Sequence, residues 1–296
     1  MENIASKVSE ADLAYYNGAM RSYETESSVL VSSSAYLNRA DLRALIAQEM
    51  LRRNGPDVPN TAFIPNVAKI FMELEDWPRV HQLFEEEKAR LPHFKAWLDG
   101  RKISLYSPEE LKGAKPGTLR EVIHDFVVNS GYNMDHFYQG MEIKTDIEYY
   151  MKQRTHTHDI EHMITGFETN HLGEIALLAA NERAVFRYFK PELAAFFNRI
   201  SAYLKAKTTM KSALFYPEAY AGEVEAQVIG YEQGGQWKMP LSLLPYNDLL
   251  DWQVTDIREE YGVKLSHDPL PWRDSNTLSE DTRFANDDHG TAMAAE

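Results

Sequence analysis

Along most of the chain, apolar residues recur every three or four positions, the pattern of helices that bury one stripe. In RADLRALIAQEMLRRNG, Leu42, Leu45, Ile46 and Met50 share a face, and Gly55 supplies a stop. PNVAKIFMELED and PRVHQLFEEEKARL read as two further helices, each opened by a proline whose missing N–H costs nothing in a first turn. SPEELKGA predicts a short helix capped by Ser107. PGTLREVIHDFVVNSG predicts another, with a capping box of Thr118 and Glu121 and an end at Gly131. TDIEYYMKQ leads into a histidine-rich stretch. Residues 174–190 and 191–207 are densely apolar at helical spacing and are divided by Pro191. Strand-like alternation is confined to EVEAQVIGY, from Glu223 to Tyr231, and NDLLDWQVTDIREEYGV predicts a last amphipathic helix ending at Gly262.

The two ends lack this periodicity. Residues 1–36 are polar and Ser-rich and read as a flexible N-terminal arm. Residues 273–296 are polar and acidic, with too little apolar surface to offset their ordering entropy, and read as a disordered tail. Between them, 37–272 is expected to form one mainly α domain with little or no β structure, built around a metal-binding helix-turn-helix.

Composition narrows the chemistry. Among 296 residues, 45 Asp and Glu against 31 Lys and Arg give a net charge of −14, which disfavours binding to phosphate backbones, so no nucleic acid partner is expected. The absence of cysteine excludes disulfides, thiolate metal ligands and thiol nucleophiles, so any metal must be held by His and carboxylates. The first residues have neither the basic and apolar regions of a signal peptide nor the character of a transit peptide. The longest apolar run, Ile175 to Ala180, falls far short of the roughly 18 residues of a membrane span. The expected location is the bacterial cytoplasm, with peripheral contact to the inner membrane compatible with the sequence, and the expected assembly is a homo-oligomer.

Four of the ten histidines lie between His156 and His171, in HTHDIEHMITGFETNH. On a helix, His158 and His162 project from one face with Cβ atoms roughly 5–6 Å apart, close enough to bind one ion. Asp159 lies about 100° round and reaches the rim of such a site. Glu174 follows His162 by twelve residues, roughly 18 Å along an unbroken helix. Gly166 as a stop, and Thr169 or Asn170 as the next cap, allow the chain to reverse and bring Glu174 beside His162. The N and O donors suit Zn, Fe, Co or Mn. The plainer alternative is a set of solvated surface histidines, and Glu161 reads as a solvated partner of Lys or Arg. His156 and His171 are expected near the site or at the surface rather than as ligands.

The string HDIEHMITGFETNHLGEI resembles the signature of the ubiquinone (coenzyme Q) biosynthesis Coq-four family: His-Asp-x-x-His, eleven residues, then Glu. Weaker similarity extends to PGTLREVIHDF and to DWQVTDIREEYGV, so it spans about Pro116 to Val263, with His171 where an aliphatic residue is usual. The resemblance implies a mainly α-helical fold and a divalent metal, zinc by family habit, held by His158, Asp159, His162 and Glu174 as the catalytic group. It implies metal-dependent oxidative decarboxylation, in which hydroxyl replaces the carboxyl of a polyprenylated 4-hydroxybenzoate-type intermediate. It also implies association with other ubiquinone-biosynthesis proteins. The helices from Ile175 to Leu204, with Phe186, Tyr188, Phe189, Phe196, Phe197 and Tyr203, would line an apolar channel for the prenyl tail or form ordinary core. Two other functions fit the same residues: a non-catalytic isoprenoid-binding scaffold, and an HD-type metal phosphohydrolase based on the adjacent His158 and Asp159.

Overall fold

The computed structural model describes residues 32–51, 53–54, 64–130, 138 and 140–265. The arm up to residue 31, the stops expected at Gly55 and Gly131, and the tail lie outside the described residues. Local chemistry sets most of the helix starts. Asp76 accepts from Arg79 N to cap α3 (Trp77–Arg90), which follows α1 (Ala40–Met50) and α2 (Ile64–Glu73). Pro92 cannot continue α3, and a separate helix absent from the expected pattern, α4 (Pro92–Gly100), begins there and ends at Arg101 in the left-handed region. Ser107 caps α5 (Pro108–Leu111) in a reciprocal box with Glu110. At α6 (Leu119–Ser130), Thr118 Oγ accepts from Glu121 N at 3.4 Å, but the Glu121 carboxylate reaches Gly117 N rather than Thr118 N.

The TDIEYYMKQ segment and the histidine-rich segment form one helix, α7 (Asp146–Thr165), opened by a Thr145–Glu148 capping box. It is followed by α8 (His171–Tyr188), α9 (Pro191–Phe215) and α10 (Pro217–Gly234). Pro191 divides α8 from α9 as expected. The expected strand Glu223–Tyr231 is instead the body of α10. Its pattern misleads because the carboxylate of Glu223 is buried while Val224 and Val228 face outward. The helical logic lies in Ala226, Gly230 and Gly234, spaced four apart against α8. A Cβ on Gly230 would meet Ala176 O at 2.2 Å, and one on Gly234 would meet Ala180 O at 2.0 Å. Only backbone without side chains permits so close an approach, and the matching advance of both registers makes α8 and α10 parallel.

The expected last helix is broken into α11 (Tyr246–Leu249) and α12 (Val254–Tyr261). Leu250 O and Trp252 O accept from Arg120 N (2.8 Å) and Leu119 N (3.0 Å) at the start of α6, so these carbonyls cap another helix instead of continuing their own. Gly262, at φ 75°, ends α12 as expected. Among the described residues there are twelve α-helices, no strand, and one isolated antiparallel bridge, Thr118 to Gln253.

Three buried clusters form one helical body. The first joins Leu119, Ile160, Leu172, Trp237 and Ile257 around the meeting of α6, α7, α8 and α12. The second is aromatic, with Phe84, Phe94, Trp97 and Tyr149 against Phe189. It also takes in Tyr188, Phe196 and Phe197, and Tyr150 stacks on Phe197 at 3.9 Å. These aromatic side chains are therefore core rather than a channel wall, and Phe186 is exposed. The third cluster holds Leu42, Val67 and Ile70, with Tyr36 and Tyr203 packed against it.

Candidate metal centre

The reversal between α7 and α8 follows the residues singled out for it. Gly166, in the left-handed region at φ 74°, ends α7 with its N–H on His162 O. Asn170 then caps α8 by accepting from Gly173 N at 2.8 Å. Gly173 has no room for a Cβ, which would lie 1.9 Å from Glu168 O, so the turn folds tightly onto its own helix. From α12, Arg258 donates to Ile164 O (2.7 Å) and Met163 O (3.1 Å), placing a cation on the free carbonyls of α7. The turn is thus held from both sides, and it carries Glu174, in the first turn of α8, to the two histidines of α7.

His158 Nε2 lies 3.1 Å from Glu174 Oε2, and His162 Nε2 lies 3.2 Å from Glu174 Oε1. One donor atom from each of the three residues falls within 4.8 Å of the other two. A tetrahedral ion with ligand bonds of ~2.1 Å separates its donors by about 3.4 Å, so the two His–Glu spacings are compatible with a shared cation. His162 gives the sharper test of fit. Its Nδ1 is 2.9 Å from Phe167 O, which fixes Nδ1–H as the donor and leaves the Nε2 lone pair pointing at the cluster. That buried Nε2 has no aligned hydrogen-bond partner, although the Glu174 carboxylate is near. A buried acceptor nitrogen held in the ligating tautomer, opposite a carboxylate, is the donor set a divalent cation requires.

The electrostatics agree. Burial, the largest single influence, would raise the Glu174 pKa, but the two imidazoles outweigh it and hold the carboxyl well below its usual range. Burial likewise opposes the charge on His158, yet the Glu174 carboxylate and its hydrogen bond prevail and raise that pKa. The cluster opens to solvent on one side: the side chains of His158 and Glu174 are 29% and 37% exposed, against 3% for His162.

Three of the four expected ligands therefore meet. Asp159 is not among the three clustered residues, and its charge favours protonated His158. Its position about 100° round the helix accounts for this. Glu161 has the basic partner expected of it, Arg154, but not the expected solvation. It is fully buried rather than solvated, accepting from Asn181 Nδ2 (2.7 Å) and Thr157 Oγ1 (3.2 Å), with Arg154 Nη1 at 3.3 Å. Sequence reasoning placed it at the surface because a Glu on a charged helix usually is; the signal against this is Arg154, seven residues earlier on the same face. His156 and His171 are also buried, and His171 Nε2 lies 3.9 Å from the buried carboxylate of Glu223. Two surface grooves along α8, α9 and α10 involve none of the three clustered residues.

No protein family profile matches the chain, and no curated protein is similar to it. Its fold is similar to that of a solved protein from Nostoc punctiforme PCC 73102, provisionally named a ubiquinone biosynthesis protein. The two superpose with a TM-score of 0.53 over 69% of this chain and 89% of the other, at 22% identity. This likeness is one of fold. None of the helices among the described residues is long and apolar enough to cross a membrane.

Proposed function

We propose that the chain is a metal-dependent enzyme of ubiquinone biosynthesis that replaces the carboxyl of a polyprenylated 4-hydroxybenzoate-type intermediate with hydroxyl. The observation that carries this reading is the convergence of His158, His162 and Glu174 at an opening to solvent. The HDIEH…LGEI resemblance and the fold shared with the Nostoc protein support it. Zinc is the ion the resemblance favours, and iron, cobalt or manganese suit the same donors. A cation held there would serve as a Lewis acid, withdrawing negative charge from a bound carboxylate or phenolate. His162, fixed by Phe167 O, and His158 would hold the ion from α7, and Glu174 would hold it from α8 and supply the one negative ligand. Exchanging carboxyl for hydroxyl releases CO2 and oxidises the ring by two electrons, so an external acceptor, dioxygen by class, completes the reaction.

Three protein donors leave a position open, the habit of catalytic rather than structural zinc, which favours an enzyme over an isoprenoid-holding scaffold. An HD-type phosphohydrolase would need Asp159 beside His158 on the ion; the grouping of Glu174, rather than Asp159, with the two histidines supports the first reading over this one. The aromatic helices are used as core, so the prenyl tail would lie along another face. Work in concert with other ubiquinone-biosynthesis proteins at a membrane surface, from the cytoplasmic side, belongs to the same proposal.

The test is metal analysis of untagged protein followed by incubation with a short-chain 3-prenyl-4-hydroxybenzoate in air, reading CO2 and the hydroxylated ring by mass spectrometry. Stoichiometric metal and turnover that Glu174→Gln abolishes are expected. Metal without turnover, or turnover that survives Glu174→Gln, would overturn the enzymatic reading.

A further inference from the structure

We infer that Arg154 is the anchor for the substrate's carboxylate, so the candidate centre selects an acidic ring rather than a neutral one. The inference rests on the proposed function and names the group that gives that site its preference for an acid. Arg154 stands one turn before His158 on α7, about 40° from it around the helix axis, with Cβ atoms roughly 5–6 Å apart. Its side chain is 22% exposed, so it shares the partly open side of α7 with His158 rather than projecting freely into water.

The guanidinium is also held in place. Nη1 is 3.3 Å from the fully buried Glu161 Oε1. Thr157 and Asn181 occupy further lone pairs of the same carboxylate, at 3.2 Å and 2.7 Å. A buried carboxylate supported by α7 and α8 orients one edge of the arginine at little cost in flexibility. A guanidinium has five N–H donors, and among the described residues one of them is used, by this pair, so a planar edge suited to a second carboxylate remains. Glu161 and Asn181 are thus positioning residues, and Arg154 is the group that meets the substrate. A carboxylate spanning the cation and Arg154 would be held at both ends, whereas an amide of the same shape would lose the charge-assisted contact.

The experiment compares binding of 3-geranyl-4-hydroxybenzoate with that of its neutral isostere 3-geranyl-4-hydroxybenzamide, by calorimetry on the full-length, metal-loaded chain. Wild type should bind the acid at least tenfold more tightly than the amide. Arg154→Gln should reduce that preference to the part the cation alone supplies, and Arg154→Lys should reduce it less, with bound metal unchanged in both. Because Arg154→Gln leaves Glu161 buried without its cation, the double variant R154Q/E161Q repeats the test with both charges removed. A preference undiminished from wild type in R154Q and R154Q/E161Q overturns the inference while leaving the proposed function standing. No preference in wild type overturns both.

Discussion

Helix α8 meets α10 and α7 by opposite means. Along its length it lies against α10 through Ala176, Ala179 and Ala180, facing Gly230 and Gly234 with no space for a further carbon. At its N-terminus it meets α7 through Glu174 and His158, polar groups partly open to water, and the buried His162. The first interface is apolar and backbone-close, and its strength is dispersion at native packing density. The second is a charge arrangement with a buried nitrogen that lacks a hydrogen bond, poorly suited to stabilising a fold alone. The pairing separates the part of α8 that holds the molecule together from the part that acts.

The largest expected effect comes from spoiling the apolar side. Gly230→Val would drive carbon into Ala176 O and force α10 from α8, at a cost of about 3 kcal/mol or more. Thermal melting should fall by well over 5 °C, with metal binding lost as a consequence rather than selectively.

Next comes the polar side. Glu174→Gln removes the only carboxylate of the cluster and should weaken metal binding by at least ~100-fold, since loss of a group merely supporting a ligand already costs 10–100-fold. Calorimetric metal titration, with melting of the metal-free protein shifted by only a few degrees, would sharpen the contrast; equal loss of fold and metal would break it.

A subtler effect is expected with pH. The depressed Glu174 pKa gives stability that is present above its unfolded value of 4.5 and lost as pH falls toward the folded one. The raised His158 pKa gives stability that is full below 6.5 and lost as pH rises through the folded value. In metal-free protein, the melting difference between wild type and Glu174→Gln should therefore peak between pH 4.5 and 6.5. Added metal should stabilise most above that window, because the ligands must shed protons to bind. A difference that grew steadily from pH 5 to 9 without metal would contradict the assignment.

The smallest effect belongs to Asp159→Asn. Because it is not among the three clustered residues, Asp159 should change metal affinity by less than about tenfold. A loss as large as that of Glu174→Gln would place it among the ligands, as the family resemblance implies.

Much of this was legible in the chain. The turn between α7 and α8 was marked by Gly166 and Asn170, whose preferences are local: a left-handed backbone favours glycine, and a cap needs a short acceptor. Ser107, Pro191 and Gly262 marked their boundaries for similar reasons. Once the turn was placed, proximity of His158, His162 and Glu174 followed from helix geometry. The missed elements were those whose pattern depends on a distant partner. The α10 segment reads as a strand because its buried residues are Ala, Gly, Glu223 and Gln233, which carry little or no apolar signal, while its valines face out. The break between α11 and α12 is caused by α6, whose free N–H groups take carbonyls that a continuous helix would have used itself.

The sequence by itself determined the helical class, the absence of thiol chemistry, the histidine-bearing turn and the residues able to meet a cation, because those depend on residue type and spacing within a few turns. The tertiary structure decided that α8 and α10 lie in parallel at backbone contact and that the aromatic helices form core. It also decided that Asp159 stands aside from the cluster and that Glu161 is buried beneath Arg154. Each of these depends on which face of a helix its neighbours occupy, and that choice is made by packing between segments far apart in the chain.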